Sequence, residues 1–559
     1  MINHSPDPNI QTLDAPPERE SFYQRMVDAV RKIRDHPNLI VLVVVFFLFI
    51  FLLLSLTSAR NNTLTYDEDA HFRYGMQILN GNSDRFDDSK MPFSAINALP
   101  AKVIDMIKGS GALLIDQQVA LGRMVTVLFS IVIAFFVFRW STNLYGVFAG
   151  VLVLIFYIFE PNLLAHSQLV TTDVYAAGMV LLSAYALWRF SRRRTWQNVL
   201  LLAVVLGISQ LAKYTSIFLF PILAAVLIIR DLPEISTIIT ARDKVRLWRY
   251  LKGMLFLAIM VVVISIVIIN VGFLFNKTMT PLGDYQFRST LFQSIQSRLA
   301  FMNRMPVPTP YPYLEGLDWV VHNERTGANH SRIYLFEQLS ETGFKGYYFF
   351  AFLYKVPLAI QLVLIIALVM YFARRKTDRF LQDEIFLFVP VLFFTIYFNF
   401  FYRAQIGIRF FLVVFPLLFV FCGSLFKKWQ TYSLKYRVGV AALAVYLIVS
   451  VLSYYPHYIP YFNELVLDRK LSYKILADSN LDWGQAGNYV EQYLEQHPDA
   501  LIEPTEPTAG LVLISSNNLV GITAKPEAYA WLREGYQPDD TIAYAILVYE
   551  LAPEDVNHP

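Results

Sequence analysis

The stretch LIVLVVVFFLFIFLLLSLTSARNNTLTYDEDAHFRYG, Leu39 to Gly75, decides the fold class. Leu39–Leu54 contains nothing but Leu, Ile, Val and Phe, and the apolar run continues to Thr57. A helix that crosses a bilayer needs about 20 such residues. The run ends directly in a polar segment holding Asp67, Glu68 and Asp69. It therefore reads as a membrane helix delivering an acidic cluster to one membrane surface. The polar leader from Met1 to about Asn38 is longer than a secretory signal allows, so the run reads as an uncleaved signal anchor.

The remainder of the chain fits this reading. Of 559 residues, 55% are hydrophobic and 16% charged, against roughly a quarter charged in soluble domains. A net charge of +3 gives no reason to expect nucleic acid. The lone Cys422 cannot form a disulfide within the chain. Further apolar runs are Arg123–Phe138, Tyr145–Phe159, Gln168–Phe190, Asn198–Leu211, Thr215–Ile229, Leu251–Phe275, Tyr347–Phe372, Ile385–Phe401, Ile408–Phe426 and Val438–Tyr455. The expectation is an α-helical polytopic membrane protein with about eleven transmembrane helices. Asn198–Leu211 and Thr215–Ile229, separated by Ala212-Lys213-Tyr214, read as a tight hairpin or a shallow pair.

Basic clusters orient the helices. Arg25, Arg31, Lys32 and Arg34 precede the first helix. Arg192–Arg194, then Arg242, Lys244, Arg246 and Arg249, then Arg374–Lys376 and Lys427-Lys428 fall on the same side by alternation. The N-terminus is then cytoplasmic and the C-terminus outside. Three parts are expected: a cytoplasmic tail over 1–37, a transmembrane domain over 38–455 with outer loops 58–122 and 276–346, and an extracytoplasmic domain over 456–559. Leu511–Ile514 and Ile542–Tyr549 look like strands, Asn488–Gln496 and Glu527–Arg533 like helices, which makes the last part a small α/β unit. No internal repeat of the kind that builds transporters is visible.

The informative cations lie at the outer ends. Arg123 begins the second helix, Lys213 caps the short hairpin, and Arg403 and Arg409 flank the short loop between the ninth and tenth helices. Lys355 lies inside the eighth helix, about 12 Å deep at 1.5 Å per residue. An ionisable residue at that depth points to function. Together these cations would form a pocket for a lipid-linked phosphate; the competing reading is that each snorkels alone to the headgroups. In YDEDAHFRYG, Asp67 and His71 share a helical face, and a carboxylate there suits a general base, unless the segment is simply a solvated surface helix. Asp173, at the outer end of the fourth helix, needs a cation such as Arg123, Lys213 or Lys355, for function or for structure alone. Asp84, Asp87 and Asp88 lack the spacing of a calcium loop, and His322 and His330 show no metal-ligand spacing. Asn61, Asn276 and Asn329 begin sequences that match glycosylation acceptors.

Six blocks in order resemble a family. They are YDEDAHFRYG (Tyr66–Gly75), EPNLLAHSQLVTTD (Glu160–Asp173), LAKYT (Leu211–Thr215), PYLEGLDWVVHNERTG (Pro312–Gly327) with KVPL (Lys355–Leu358), IGIRFFLVVFP (Ile406–Pro416), and YFNEL (Tyr461–Leu465) followed by DSNLDWGQ (Asp478–Gln485). The chain resembles the phospholipid-carrier-dependent glycosyltransferases of the GT-C fold, relatives of protein O-mannosyltransferases and of the lipid A aminoarabinose transferase. The resemblance implies inverting transfer of a hexose-type sugar, mannose in the first instance, from a polyprenyl-phosphate carrier to an acceptor hydroxyl at the outer membrane face. Asp67 is then the base, with Glu68 or Asp69 beside it as alternatives. Lys355, Arg409, Lys213, Arg123 and Arg403 are candidates for the donor phosphate. Asp173 would orient the acceptor or hold a cation. His71, His166, Asp482 and Trp483 are placed with the acceptor or the covering loops. The acceptor is a protein, a lipid or a glycan; no metal or cofactor beyond the lipid-linked donor is implied. Short loops and the lack of a retention signal favour a bacterial inner membrane. The rival readings are a lipid-linked sugar carrier or flippase without chemistry, and an enzyme that hydrolyses the carrier.

Overall fold

A computed structural model describes residues 37–82, 89–109, 111–327, 332–373 and 379–556. The polar leader, Asp84, Asp87 and Asp88, the Asn329-His330-Ser331 match and the Arg374–Lys376 cluster lie outside these residues. The chain divides into Met1–Phe47 and Leu48–Pro559. The first unit contributes the beginning of the helix Pro37–Ala59, and the second holds every other described element.

Among the described residues, seven helices are long and apolar enough to cross a membrane, or nine if two bent pairs each count as one span. Two further apolar helices, Trp196–Ser209 and Ile385–Phe400, are shorter. Each apolar run of the sequence falls on one of these elements. Their outward faces carry exposed Leu, Ile, Val and Phe, such as Leu255, Phe256, Val263 and Val267 on Lys244–Gly272, as lipid contact requires. By contrast, Asp173–Arg192 and Ile408–Thr431 are the most enclosed spans, with 83% and 89% of their apolar windows inside the protein. They are the central pair of the bundle.

Three expectations change. Trp196–Ser209 and the span Tyr214–Thr240 are not a mutual hairpin: the first packs on Asp173–Arg192 and Lys244–Gly272, the second on Ile385–Phe400. The run Tyr347–Phe372 is not one straight helix. It is Tyr347–Lys355 followed by Leu358–Ala373, bent by 116°. Pro357 disfavours the helical conformation of the residue before it, and Val356 is extended at φ −96°, ψ 133°. The depth reckoned for Lys355 along a single helix therefore does not apply. Finally, Ile542–Tyr549 is not one strand. The strands of the C-terminal sheet are β1 (Leu501–Ile502), β2 (Gly510–Ser515), β3 (Asp540–Ile542) and β4 (Ile546–Leu551), in the order β1-β2-β4-β3. Ala543 and Tyr544, both with positive φ, turn the chain so that β3 pairs antiparallel with β4. The helix Gly487–Gln496 covers this sheet through Tyr489, Val490, Tyr493 and Leu494.

The acidic loop is held by one buried ion pair. The Glu68 and Arg123 side chains are 0% and 6% exposed, with Arg123 Nη2 2.6 Å from Glu68 Oε2. Arg123 spends all its N–H groups: Nε and Nη2 on the two Glu68 oxygens, Nη1 on the Ala59 and Asn62 carbonyls, Nη2 also on the Thr63 carbonyl. Glu68 also accepts from the Thr65 amide and hydroxyl and from the Val170 amide. Nearby, the helices Glu68–Leu79 and Ser94–Lys108 approach so closely that a Cβ on Gly75 would lie 2.2 Å from the Ser94 carbonyl oxygen.

Removing one member of such a pair leaves the other charged and buried, which costs about 3–5 kcal/mol. Arg123→Met is therefore expected to lower the melting temperature of the purified protein sharply. Arg73→Met, which breaks only the exposed Asp69–Arg73 pair, is expected to change it little, since such surface pairs are worth about 0–1 kcal/mol. Equal effects would contradict this assignment.

Candidate active site

Asp67 is the N-cap of the helix Glu68–Leu79. With Glu68 turned inward to Arg123, the Asp67 side chain stays 22% exposed and meets Arg409, whose Nη1 lies 2.6 Å from Asp67 Oδ2. The same Nη1 is 3.9 Å from Asp173 Oδ2, and Asp173 Oδ1 accepts from Lys213 Nζ at 2.5 Å. Asp67, Arg409, Asp173 and Lys213 form a row of alternating charge. Asp173 is the first residue of its helix, where the helix dipole favours an anion.

Flexible groups are immobilised from above. The Trp483 ring lies 4.1 Å from Arg409 Cζ, and Phe410 covers Lys213 Nζ at 4.0 Å. These are cation–π contacts. Tyr66 N–H donates to the Trp483 carbonyl at 3.0 Å, which ties the acidic loop to DSNLDWGQ. Within that motif Ser479 Oγ donates to the Ile406 carbonyl and Asn480 Oδ1 accepts from Ile408 N–H at 3.1 Å. Gly407 between them has φ +107°, and a Cβ there would lie 2.2 Å from Ser479 Oγ. Only glycine fits this approach without strain.

The Asp67–Arg409 end of the row opens into a cleft of about 630 Å³, lined also by Tyr66, Asp478, Asp482, Trp483, Ser515 and Asn517 among others. Burial pushes the Asp67 carboxyl up, but Arg409 and then Lys90 more than offset it, and the group is held below the usual carboxylate range. Burial, followed by the charge of Lys90, pushes the His71 imidazole down to about 3, so it is neutral near neutral pH. Its Nδ1 is 3.3 Å from Ser94 Oγ. Asp482 is raised by burial; its oxygens accept from Ser515 Oγ and Gly484 N–H.

The other candidates lie elsewhere or are already occupied. Arg123 is consumed by Glu68. Asp69 pairs with Arg73 at an exposed position. Exposed Arg403 donates to the Arg325 carbonyl. Fully buried Lys355 donates to the Ile459 and Asn480 carbonyls, both at 2.7 Å. It ties the helix bend to the C-terminal segment, where Asn463 Nδ2 also donates to the Leu353 and Val356 carbonyls. His166 is buried, its ring 5.7 Å from that of Trp483. The candidate set did not include Lys90, whose charge reaches Asp67, or Asp478 on the cleft wall. Asp478 begins a motif already marked by the resemblance, whereas Lys90 follows a polar stretch with no local signal. Among the described residues no group of three His, Cys, Asp or Glu side chains could hold a metal ion.

Residues 103–269 match the family Dolichyl-phosphate-mannose-protein mannosyltransferase. Over that segment the chain is related to this family. The matched segment includes Arg123, His166, Asp173 and Lys213 but not Asp67 or Arg409. Two solved structures are similar at low identity. One is ArnT from Cupriavidus metallidurans bound to undecaprenyl phosphate (13% identity, 90% of this chain and 97% of that chain, TM-score 0.47). The other is the archaeal oligosaccharyltransferase AglB from Archaeoglobus fulgidus with an inhibitory peptide and a dolichol-phosphate (14% identity, 81% and 59%, TM-score 0.42). No curated protein sequence matches the chain.

Gly407→Ala is expected to destabilise the protein by about 1–3 kcal/mol through backbone strain and the clash with Ser479. Adding Ser479→Ala removes the clash but not the positive φ, so the double variant should regain only part of the lost melting temperature. Full recovery would show that the backbone conformation carries no strain.

Proposed function

We propose that the chain is an inverting glycosyltransferase that moves a hexose-type sugar, mannose first, from a polyprenyl-phosphate carrier to an acceptor hydroxyl at the outer membrane face. The reading rests on one observation: Asp67, Arg409, Asp173 and Lys213 alternate in charge in a row whose Asp67–Arg409 end lines a cleft. The family matched by residues 103–269 is named for a dolichyl-phosphate-mannose donor and a protein acceptor. The protein spans a membrane several times; the inner membrane of a bacterium, with the N-terminus cytoplasmic and the C-terminus outside, completes the proposal.

Asp67 takes the acceptor proton. The acceptor oxygen forms a bond to the anomeric carbon as the bond from that carbon to the phosphate oxygen breaks. The electron pair leaves with the polyprenyl phosphate, and the configuration inverts. A carboxylate held at low pKa is a weak base, so proton removal accompanies phosphate departure instead of preceding it. Arg409 and Lys213 stabilise charge growing on the leaving phosphate. Asp173 holds both cations in place, and the cleft aligns the acceptor with the anomeric carbon. Glu68 and Arg123 position Asp67 without touching the reacting atoms, and Lys355 fixes the segment that carries Trp483. Asp482 and Trp483 face the acceptor side.

Asp67→Asn is expected to slow release of polyprenyl phosphate from a polyprenyl-phosphate mannose donor by about 10²–10⁴-fold, measured with purified protein and membrane acceptors. Loss of less than about tenfold would remove Asp67 as base. Inverted configuration in the glycosylated product separates transfer from hydrolysis and from carriage.

The pH profile follows from the same contact. Asp67 is depressed below its reference value of 3.8, so it is ionised above that value and activity falls only as pH drops through the lower folded value. In Arg409→Met burial remains while its strongest opposing charge is gone. The acid limb of the residual activity should then move to higher pH. An unchanged limb would show that another group sets it.

A further inference from the structure

A second cleft lies at the far end of the central helix. Asp173–Arg192 carries Asp173 at its first residue; its 20 residues span about 30 Å at 1.5 Å per residue. The cleft takes in Phe190 of its last turn, so it lies about one membrane thickness along the helix from Asp173. Its volume is about 540 Å³.

The wall is both basic and apolar. Arg194, Arg246 and Arg249 line it, with Glu234 as the one carboxylate. Arg194 is preset by Asp231, 1% exposed, which accepts from Arg194 Nη2 and Arg230 Nη1 at 2.5 Å each and from Tyr250 OH at 3.0 Å. Arg246 reaches Glu234 only loosely, at 3.4 Å. Among the described residues Arg249 has no ion pair. Thr195, the N-cap of Trp196–Ser209, is also in the wall, so the positive end of that helix adds to the field. Phe190, Met254 and Phe256 supply the apolar lining. Trp196 is 67% exposed and Phe256 53%. Gly253 is also in the lining, and a Cβ on it would meet nothing within 4 Å, so there is room beside it.

We propose that this cleft binds the phosphate of an anionic membrane lipid in the leaflet opposite the Asp67 site. Arg246 and Arg249 contact the phosphate, Arg194 and the Thr195 helix end close the pocket, and the chains run along Phe256 and Trp196. Guanidinium forks match phosphate oxygens, and an aromatic ring at headgroup depth is the usual membrane anchor. A basic cluster that merely orients the chain needs no cleft and no apolar lining. The inference is independent of the transferase reading.

The test uses the full chain in detergent, with melting followed on adding phosphatidylglycerol, phosphatidylcholine of the same chains, or inorganic phosphate. Wild type should be stabilised by phosphatidylglycerol alone. Arg246→Ala/Arg249→Ala should weaken the apparent affinity at least about tenfold. Gly253→Phe, which adds bulk to the lining and removes no charge, should do the same. Brominated phosphatidylglycerol should quench Trp fluorescence in wild type, with the quenching reduced in Trp196→Leu. Equal stabilisation by phosphatidylcholine, stabilisation by inorganic phosphate alone, or full response in both cleft variants would overturn the proposal.

Discussion

The loop that carries Asp67 depends on the buried pair between Glu68 and Arg123. Two charges removed from water cost several kcal/mol each unless every donor and acceptor is used. Here they are: the guanidinium satisfies three carbonyls of the chain leaving the first helix, and the carboxylate satisfies two amides and a hydroxyl. A pair so completely bonded has one geometry. It fixes where the loop leaves the membrane and which way the next residue back, Asp67, projects. Without it the loop would have no reason to present its carboxylate to Arg409, which is 342 positions distant in sequence.

A second lock works from the other side. Proline breaks the helix after Lys355, which frees backbone carbonyls that water cannot reach. Asn463 satisfies two of them, and the Lys355 ammonium in turn reaches carbonyls at Ile459 and Asn480. The C-terminal segment is thereby fastened onto the bundle, and with it Trp483 over Arg409. Between the two locks lie Asp67 and Asp173 with Arg409 and Lys213, with Lys90 acting on Asp67 and Asp478 on Arg409. Each cation of the row thus faces a carboxylate, and a phosphate would have to compete with Asp67 and Asp173 for Arg409 and Lys213.

The helices were legible because apolar runs long enough to span a bilayer have few other uses. What sequence could not supply was connectivity in space. Asp67 and Glu68 are adjacent carboxylates with the same neighbours, yet one faces a cleft and the other is spent inside; only the position of Arg123 separates them. Arg123 itself has the same outer-end placement as Arg409, and counting helices cannot tell a used guanidinium from one that faces the cleft. Lys355 shows a different limit, because its depth was reckoned along a straight helix that Pro357 bends. The motif DSNLDWGQ was visible as a block, but its service to Arg409 arises from a contact across the fold.

The central claim is that the donor phosphate sits on the Asp67–Arg409–Asp173–Lys213 row. The most direct measurement is an experimental map of the full chain with polyprenyl phosphate bound, read for the position of the phosphorus. The account predicts phosphate oxygens within hydrogen-bond distance of Arg409 or Lys213, on the side of the row that faces Asp67. A phosphate bound beside Lys355 or Arg403, with the row unoccupied, would contradict it.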